Sequence, residues 1–126
     1  MGAAVAWLAA EGVTSYAMVG ASMGGTFSLA AAPLLDPAPS LIVALSSPAV
    51  FNDSDALAAI GQLEVPVLLI VGDRDGQFPA DAQQLADAQP DAELLVVESA
   101  AHGITLRDTN ADVAVRLDAA ISSALG

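Results

Sequence analysis

The chain has no cysteine. That excludes a disulfide framework, a thiolate nucleophile and a thiolate-held metal. It has no lysine either. Arg74, Arg107 and Arg116 stand against 15 carboxylates, for a formal net charge of −12. Nucleic-acid binding needs a basic face, which three scattered arginines cannot make. Anionic membrane surfaces are disfavoured on the same ground. The acids are dispersed, which reads as a solubilising surface. One histidine without cysteine is a poor basis for a zinc site, so neither metal nor cofactor is expected. Long apolar runs are also missing. The longest, such as Val65 to Val71, fall far short of the ~20 residues a membrane-spanning helix needs. No basic segment precedes an apolar stretch near the start, so no signal peptide is read there and a cytoplasmic protein is expected. Asn52-Asp53-Ser54 fits a glycosylation sequon, and without secretion it reads as a turn.

What remains is strongly apolar: 55% hydrophobic residues and a mean hydropathy of +0.61 over 126 residues. That is enough for one hydrophobic core and one domain. Ala3 to Glu11 reads as a helix closed by Gly12, and Val13 to Val19 as a strand. A helix from Met23 ends near Ala32, because Pro33 cannot continue it. Leu41 to Leu45 and Val65 to Val71 are continuous apolar runs, the pattern of strands buried on both faces. Between them, Asn52-Asp53-Ser54 can cap a short helix over Asp55 to Ile60, ended by Gly61. Pro79 suits the first position of a helix reaching Ala88, and Glu93 to Val97 is a further strand. Ser99 to Gly103 is a loop. A last helix spans Asp108 to Leu125, with Val113, Leu117 and Ile121 on one stripe and Asp112 paired to Arg116. Trp7 reads as a core or helix-packing residue, and Phe27 as part of a helix face laid on the sheet. Four apolar strands alternating with helices predict an α/β fold: a three-layer sandwich with a short parallel sheet between helices.

Gly20-Ala21-Ser22-Met23-Gly24 reads G-x-S-x-G and lies between a strand and a helix. This is the context of a nucleophile elbow, in which a strained turn projects a serine hydroxyl from the end of a sheet. Glycines flank the serine because side chains there would meet the neighbouring strand or helix. In parallel sheets chemistry collects at the carboxyl ends of the strands. Ser22, Asp75 and His102 each fall just past such an end. A serine hydroxyl needs a base within hydrogen-bond reach, and His102 is the only histidine.

The chain resembles the C-terminal half of an α/β-hydrolase, nearest the small lidless dienelactone-hydrolase-like or general esterase branch. The resemblance rests on Val5-Ala6-Trp7-Leu8 with Gly12, on Val19-Gly20-Ala21-Ser22-Met23-Gly24-Gly25, on Pro66 through Asp75 with Pro79, and on Ala101-His102-Gly103. It covers essentially residues 1–126, read as one partial domain without the N-terminal strands. It implies a serine hydrolase for small carboxylic esters or related acyl substrates. Ser22 would be the nucleophile, His102 the base and Asp75, the fourth residue of G-x-x-D, the acid. The Met23 N–H would supply one oxyanion donor. Asp73 is the runner-up acid, with a plain alternative as acceptor for turn N–H groups. Asp53 and Asp55 follow the preceding strand, a position some branches use. Arg74 reads as a surface ion pair, and Phe78 as a packing residue or an acyl-pocket wall. Nothing in residues 1–15 resembles the loop that gives the family its second oxyanion N–H, so activity is expected to be weak or absent.

A reading from a different class is a non-catalytic member of that family, acting as an interaction module. In either case the strand around Tyr16 to Val19 is expected at an open sheet edge, where self-association would occur.

Overall fold

A computed structural model describes residues 1–126. The apolar runs do form the sheet. β1 (Ala17–Ala21), β2 (Leu41–Leu45), β5 (Val67–Gly72) and β6 (Glu93–Val97) are parallel in the order β1-β2-β5-β6. A separate antiparallel hairpin, β3 (Val50–Phe51) with β4 (Ser54–Asp55), follows β2. The helices are α1 (Gly2–Ala10), α2 (Met23–Ala31), α3 (Ala56–Ile60), α4 (Phe78–Ala88), α5 (Ile104–Thr109) and α6 (Ala111–Leu125).

Every residue of β2 and β5 is buried. Their side chains alternate between two cores, as the period of two requires. Ile42, Ala44, Val67 and Leu69 face Leu29 of α2, Ile60 of α3 and Leu85 of α4. Leu41, Val43, Leu45, Leu68 and Ile70 face Leu106 of α5 and Val113 and Leu117 of α6. Helices therefore cover both faces, the three-layer arrangement anticipated from the alternation of elements. β1 and β6 each have one partner strand, so β1 does lie at an edge, with Val19 exposed there. No helix is long and apolar enough to cross a membrane.

Several boundaries differ from the sequence expectation. β1 runs from Ala17 rather than Val13, because its register pairs Ala17 with Leu41, the first residue of β2. Residues 13–16 have no opposing strand. Tyr16 instead ties two loops together: its carbonyl accepts from the Ser40 N–H at 2.8 Å, and its hydroxyl donates to the Pro37 carbonyl at 2.6 Å. Partial burial raises the Tyr16 phenol above its ordinary range.

Asn52 takes φ +51 in the hairpin turn, and the cap of α3 falls to Asp55, whose carboxylate accepts from the Ala58 N–H at 2.8 Å. The final helix is broken in two. Asn110 is extended (φ −131°) and caps α6 by accepting from the Val113 N–H at 3.2 Å, which leaves α5 as a separate element. Arg116 pairs across to Glu93 of β6 rather than along the helix to Asp112.

Trp7 is 62% exposed, not core, since α1 buries only Val5. Phe27 meets Phe51 of the hairpin edge-on at 6.0 Å, while Gly25, Thr26, Ser28 and Leu29 are the buried face of α2.

The close seat of α2 on the sheet depends on two glycines. A Cβ at Gly20 would lie 2.4 Å from the Gly24 carbonyl carbon, and one at Gly25 would lie 1.9 Å from Ser47 Oγ. A Cβ at Gly24 would meet nothing within 4 Å, so this glycine does not flank the serine for want of space. Gly20→Ala is therefore expected to destabilise the fold by ~1–3 kcal/mol or more through backbone overlap, and Gly25→Ala by a similar amount. Gly24→Ala is expected to stabilise by ~0.5–1 kcal/mol, as alanine does inside a helix. Urea denaturation of the three variants checks the order; equal losses at all three would contradict it.

Candidate active site

Ser22 joins β1 to α2 with φ +52° and ψ −127°. A non-glycine residue in this region carries ~1–3 kcal/mol of strain and persists only where its surroundings hold it. They do so from both sides. The Ser22 N–H donates to the Leu45 carbonyl of β2 at 2.8 Å. The Ser22 carbonyl accepts from the N–H groups of Gly25 at 3.1 Å and Thr26 at 3.4 Å in the first turn of α2. Thr26 is itself anchored, its buried hydroxyl donating to the Pro48 carbonyl at 2.7 Å. The backbone of the elbow is thus fixed while its side chain is left to project. Met23 follows as the first residue of α2. Its N–H has no intrahelical partner and lies at the positive end of the helix.

The acid loop is tied to the loop that follows β6. The Asp73 N–H donates to the Val97 carbonyl at 2.8 Å, and the Arg74 N–H to the Ser99 carbonyl at 3.0 Å. The Asp73 carboxylate accepts from the Ser99 N–H at 2.9 Å. A Cβ at Gly72 would lie 2.4 Å from the Ser99 carbonyl oxygen, so only glycine lets the two loops approach this closely. Asp73 is spent on this clamp and on an exposed pair with Arg74 at 3.8 Å. Its neighbour two residues on is the one that turns inward. Asp75 is 7% exposed, and its Oδ2 lies 2.9 Å from His102 Nδ1.

An ionised carboxylate can only accept, so Nδ1 carries the proton and the far ring nitrogen of a neutral imidazole is the free base. The Phe78 ring lies against the imidazole at 4.5 Å with a tilt of 44°. Phe78 therefore packs on the His102 ring itself. The imidazole keeps 41% of its surface open.

Gly103, the residue after His102, has φ +60° and is buried; a Cβ there would be 3.4 Å from the Cβ of Ala21. The residue before Ser22 thus packs on the residue after His102. That contact brings the elbow and the histidine loop together at the carboxyl end of the sheet. No hydrogen bond joins Ser22 Oγ to the imidazole in this structure, a contact that in unliganded sites often tightens only with substrate. Asp55 is used as a helix cap and Asp53 lies in the hairpin turn, so neither approaches His102. The two clefts in the surface lie elsewhere. One of about 400 Å³ is lined by Phe27, Ala30 and Asp53, and one of about 560 Å³ by Leu41, Val67, Glu93 and Arg116.

One residue of this region carried no recognised signal in the sequence. Ser46 directly follows β2 with φ +50° and is 1% exposed; its hydroxyl oxygen accepts the Gly103 N–H at 3.0 Å. The polar pair Ser46-Ser47 directly after a wholly apolar strand was the only mark available.

A serine elbow on a parallel sheet, followed by an acid loop and a histidine loop in that chain order, is the α/β-hydrolase arrangement. Within that class the chain belongs to the dienelactone hydrolase family, whose model matches residues 1–124. No curated protein sequence matches it significantly. Among solved structures it is similar to the enol-lactonase from Burkholderia xenovorans (TM-score 0.78, 13% identity, covering 97% of this chain and 71% of that one). It is also similar to the dienelactone hydrolase from Anabaena variabilis (0.67, 24%, 79% and 46%). A third is the esterase domain of a Rhodothermus marinus protein (0.67, 18%, 79% and 56%). At these identities the likeness shows the fold. The chain spans about half the length of the last two.

Proposed function

We propose that the chain is a serine hydrolase of small carboxylic esters or related acyl compounds, with Ser22, His102 and Asp75 as its triad. The observation that supports this most is a strained serine at the sheet edge packed, through Ala21 and Gly103, beside the hydrogen bond from a half-exposed His102 to a buried Asp75. The family match and the lactonase, dienelactone hydrolase and esterase relatives favour an ester or lactone carbonyl as the electrophile.

In the reaction Ser22 Oγ attacks the carbonyl carbon and its proton passes to the free nitrogen of His102. Asp75 holds the ring in that tautomer and stabilises the imidazolium. The oxyanion forms toward the Met23 N–H. Collapse breaks the bond to the leaving alkoxide, which takes the proton from His102. Water, deprotonated by the same imidazole, then releases the acid and restores Ser22.

This reading assigns one oxyanion donor within residues 1–126, the Met23 N–H at the start of α2, and neither surface cleft is lined by Ser22, Asp75 or His102. Loss of one donor typically lowers turnover by roughly 10² to 10³, and a triad without a cleft beside it positions substrate less well. Slow turnover is the consequence. A second reading, a non-catalytic member working through the open edge of β1, is favoured by that edge and by the distance of both clefts from Ser22.

The test is release of p-nitrophenol from p-nitrophenyl acetate. Weak turnover that disappears in Ser22→Ala and falls in His102→Ala is expected. Asp75→Asn should cost at least tenfold more than Asp73→Asn, because Asn at position 73 still offers an oxygen to Ser99. Turnover that survives Ser22→Ala, or equal losses at the two aspartates, would contradict the assignment. A rate matching that of the full-length enol-lactonase on its own lactone would contradict the one-donor argument.

A further inference from the structure

We infer that Ser46 is a positioning residue for His102, holding the histidine loop at the height of the nucleophile. The inference rests on the triad reading above. Ala21 of β1 is paired with Leu45 of β2, so Ser22 and Ser46 are the residues that step off adjacent strands together. Both take positive φ, +52° and +50°. Each backbone is fixed to the next strand: the Ser22 N–H to the Leu45 carbonyl at 2.8 Å, and the Ser46 N–H to the Ile70 carbonyl at 2.9 Å. This anchoring puts the Ser46 side chain in a place no ordinary extended residue would occupy. It is 1% exposed, and its hydroxyl oxygen meets the buried Gly103 N–H at 3.0 Å.

Gly103 is the hinge through which this acts. Its φ of +60° reverses the chain directly after His102 and starts α5. Its N–H belongs to the peptide that His102 itself begins, so a bond to that N–H fixes the peptide plane next to the Cα that carries the imidazole. The ring is then held at three points. Asp75 accepts from Nδ1, Phe78 lies on the ring face, and Ser46 holds the peptide behind it. The first two orient the imidazole; only the third refers it to the strand beside the nucleophile. Without it the histidine loop can shift and carry Nδ1 out of reach of Asp75, since 41% of the side chain's surface is open to solvent.

Ser46→Gly isolates this role. Glycine accepts a positive φ without strain, so the substitution removes the hydroxyl and little else. His102 is the only histidine, so long-range proton–nitrogen NMR reads its tautomer without ambiguity and without needing turnover. The parent chain at neutral imidazole should show protonated Nδ1, and Asp75→Ala should shift the ring toward the Nε2–H form. Ser46→Gly, still folded, should shift it at least halfway toward the Asp75→Ala spectrum. An unchanged tautomer in folded Ser46→Gly overturns the inference. A parent ring that is not Nδ1-protonated, or does not respond to Asp75→Ala, overturns the triad reading instead. Hydrogen exchange in the parent guards against a variant that fails to fold. The Gly103 amide should exchange at least tenfold more slowly than a free amide, and exchange at the free rate overturns the role of Ser46 whatever the variants do.

Discussion

The hydrogen bond from the Ser22 N–H to the Leu45 carbonyl, 2.8 Å long, is where the sheet becomes a site. It is the last rung of the β1–β2 ladder, one residue beyond the Ala21–Leu45 pair. It holds a non-glycine residue at φ +52°, and the direction of that turn decides where α2 begins. Because β1 contains Gly20, the start of α2 can lie directly on it, with the Gly24 and Gly25 backbone where a side chain would otherwise be. The first-turn N–H groups of Gly25 and Thr26 consequently close on the Ser22 carbonyl. Shift the register by one residue and the serine would leave the sheet edge altogether.

The same parallel geometry gathers the other two residues. β5 and β6 are parallel and paired up to Gly72 and Val97, so the loops after them leave the sheet side by side. Their crossing at Gly72 and Ser99 commits Asp73 to the backbone and leaves Asp75 free to meet His102. Two aspartates in one loop thus have different work because one lies at the crossing and the other lies past it. Ser46 joins the arrangement from the end of β2, so each of the four adjacent strands leads into one part of the site.

Much of this was legible in the residues, for physical reasons that vary by element. β2, β5 and β6 were readable because apolar runs bounded by turn residues have few other uses. The end of α1 at Gly12 was readable because φ +84° there suits glycine. The break between α5 and α6 was not, since Asn110 caps a helix only by leaving the helical conformation, and an apolar stripe continues past it. Trp7 misled because an aromatic residue in an alanine-rich helix resembles a core position, whereas α1 turns it outward. At the site, the serine turn, the lone histidine and the acid loop stood out by residue type and order. Asp73 as an acceptor of backbone N–H groups was one of its two readings, while the roles of Gly25 and Ser46 did not stand out, because each depends on a contact across the fold, with Ser47 and with Gly103.

The proposed triad requires this geometry to activate Ser22. A fluorophosphonate reports this most directly, because it forms a covalent bond only with a serine whose proton can be removed. The protein is incubated with the reagent and its peptides are mapped by mass spectrometry. A single adduct is expected on the peptide carrying Ser22, absent in Ser22→Ala and much slower in His102→Ala. No adduct on the folded chain, or one that persists in Ser22→Ala, would contradict it.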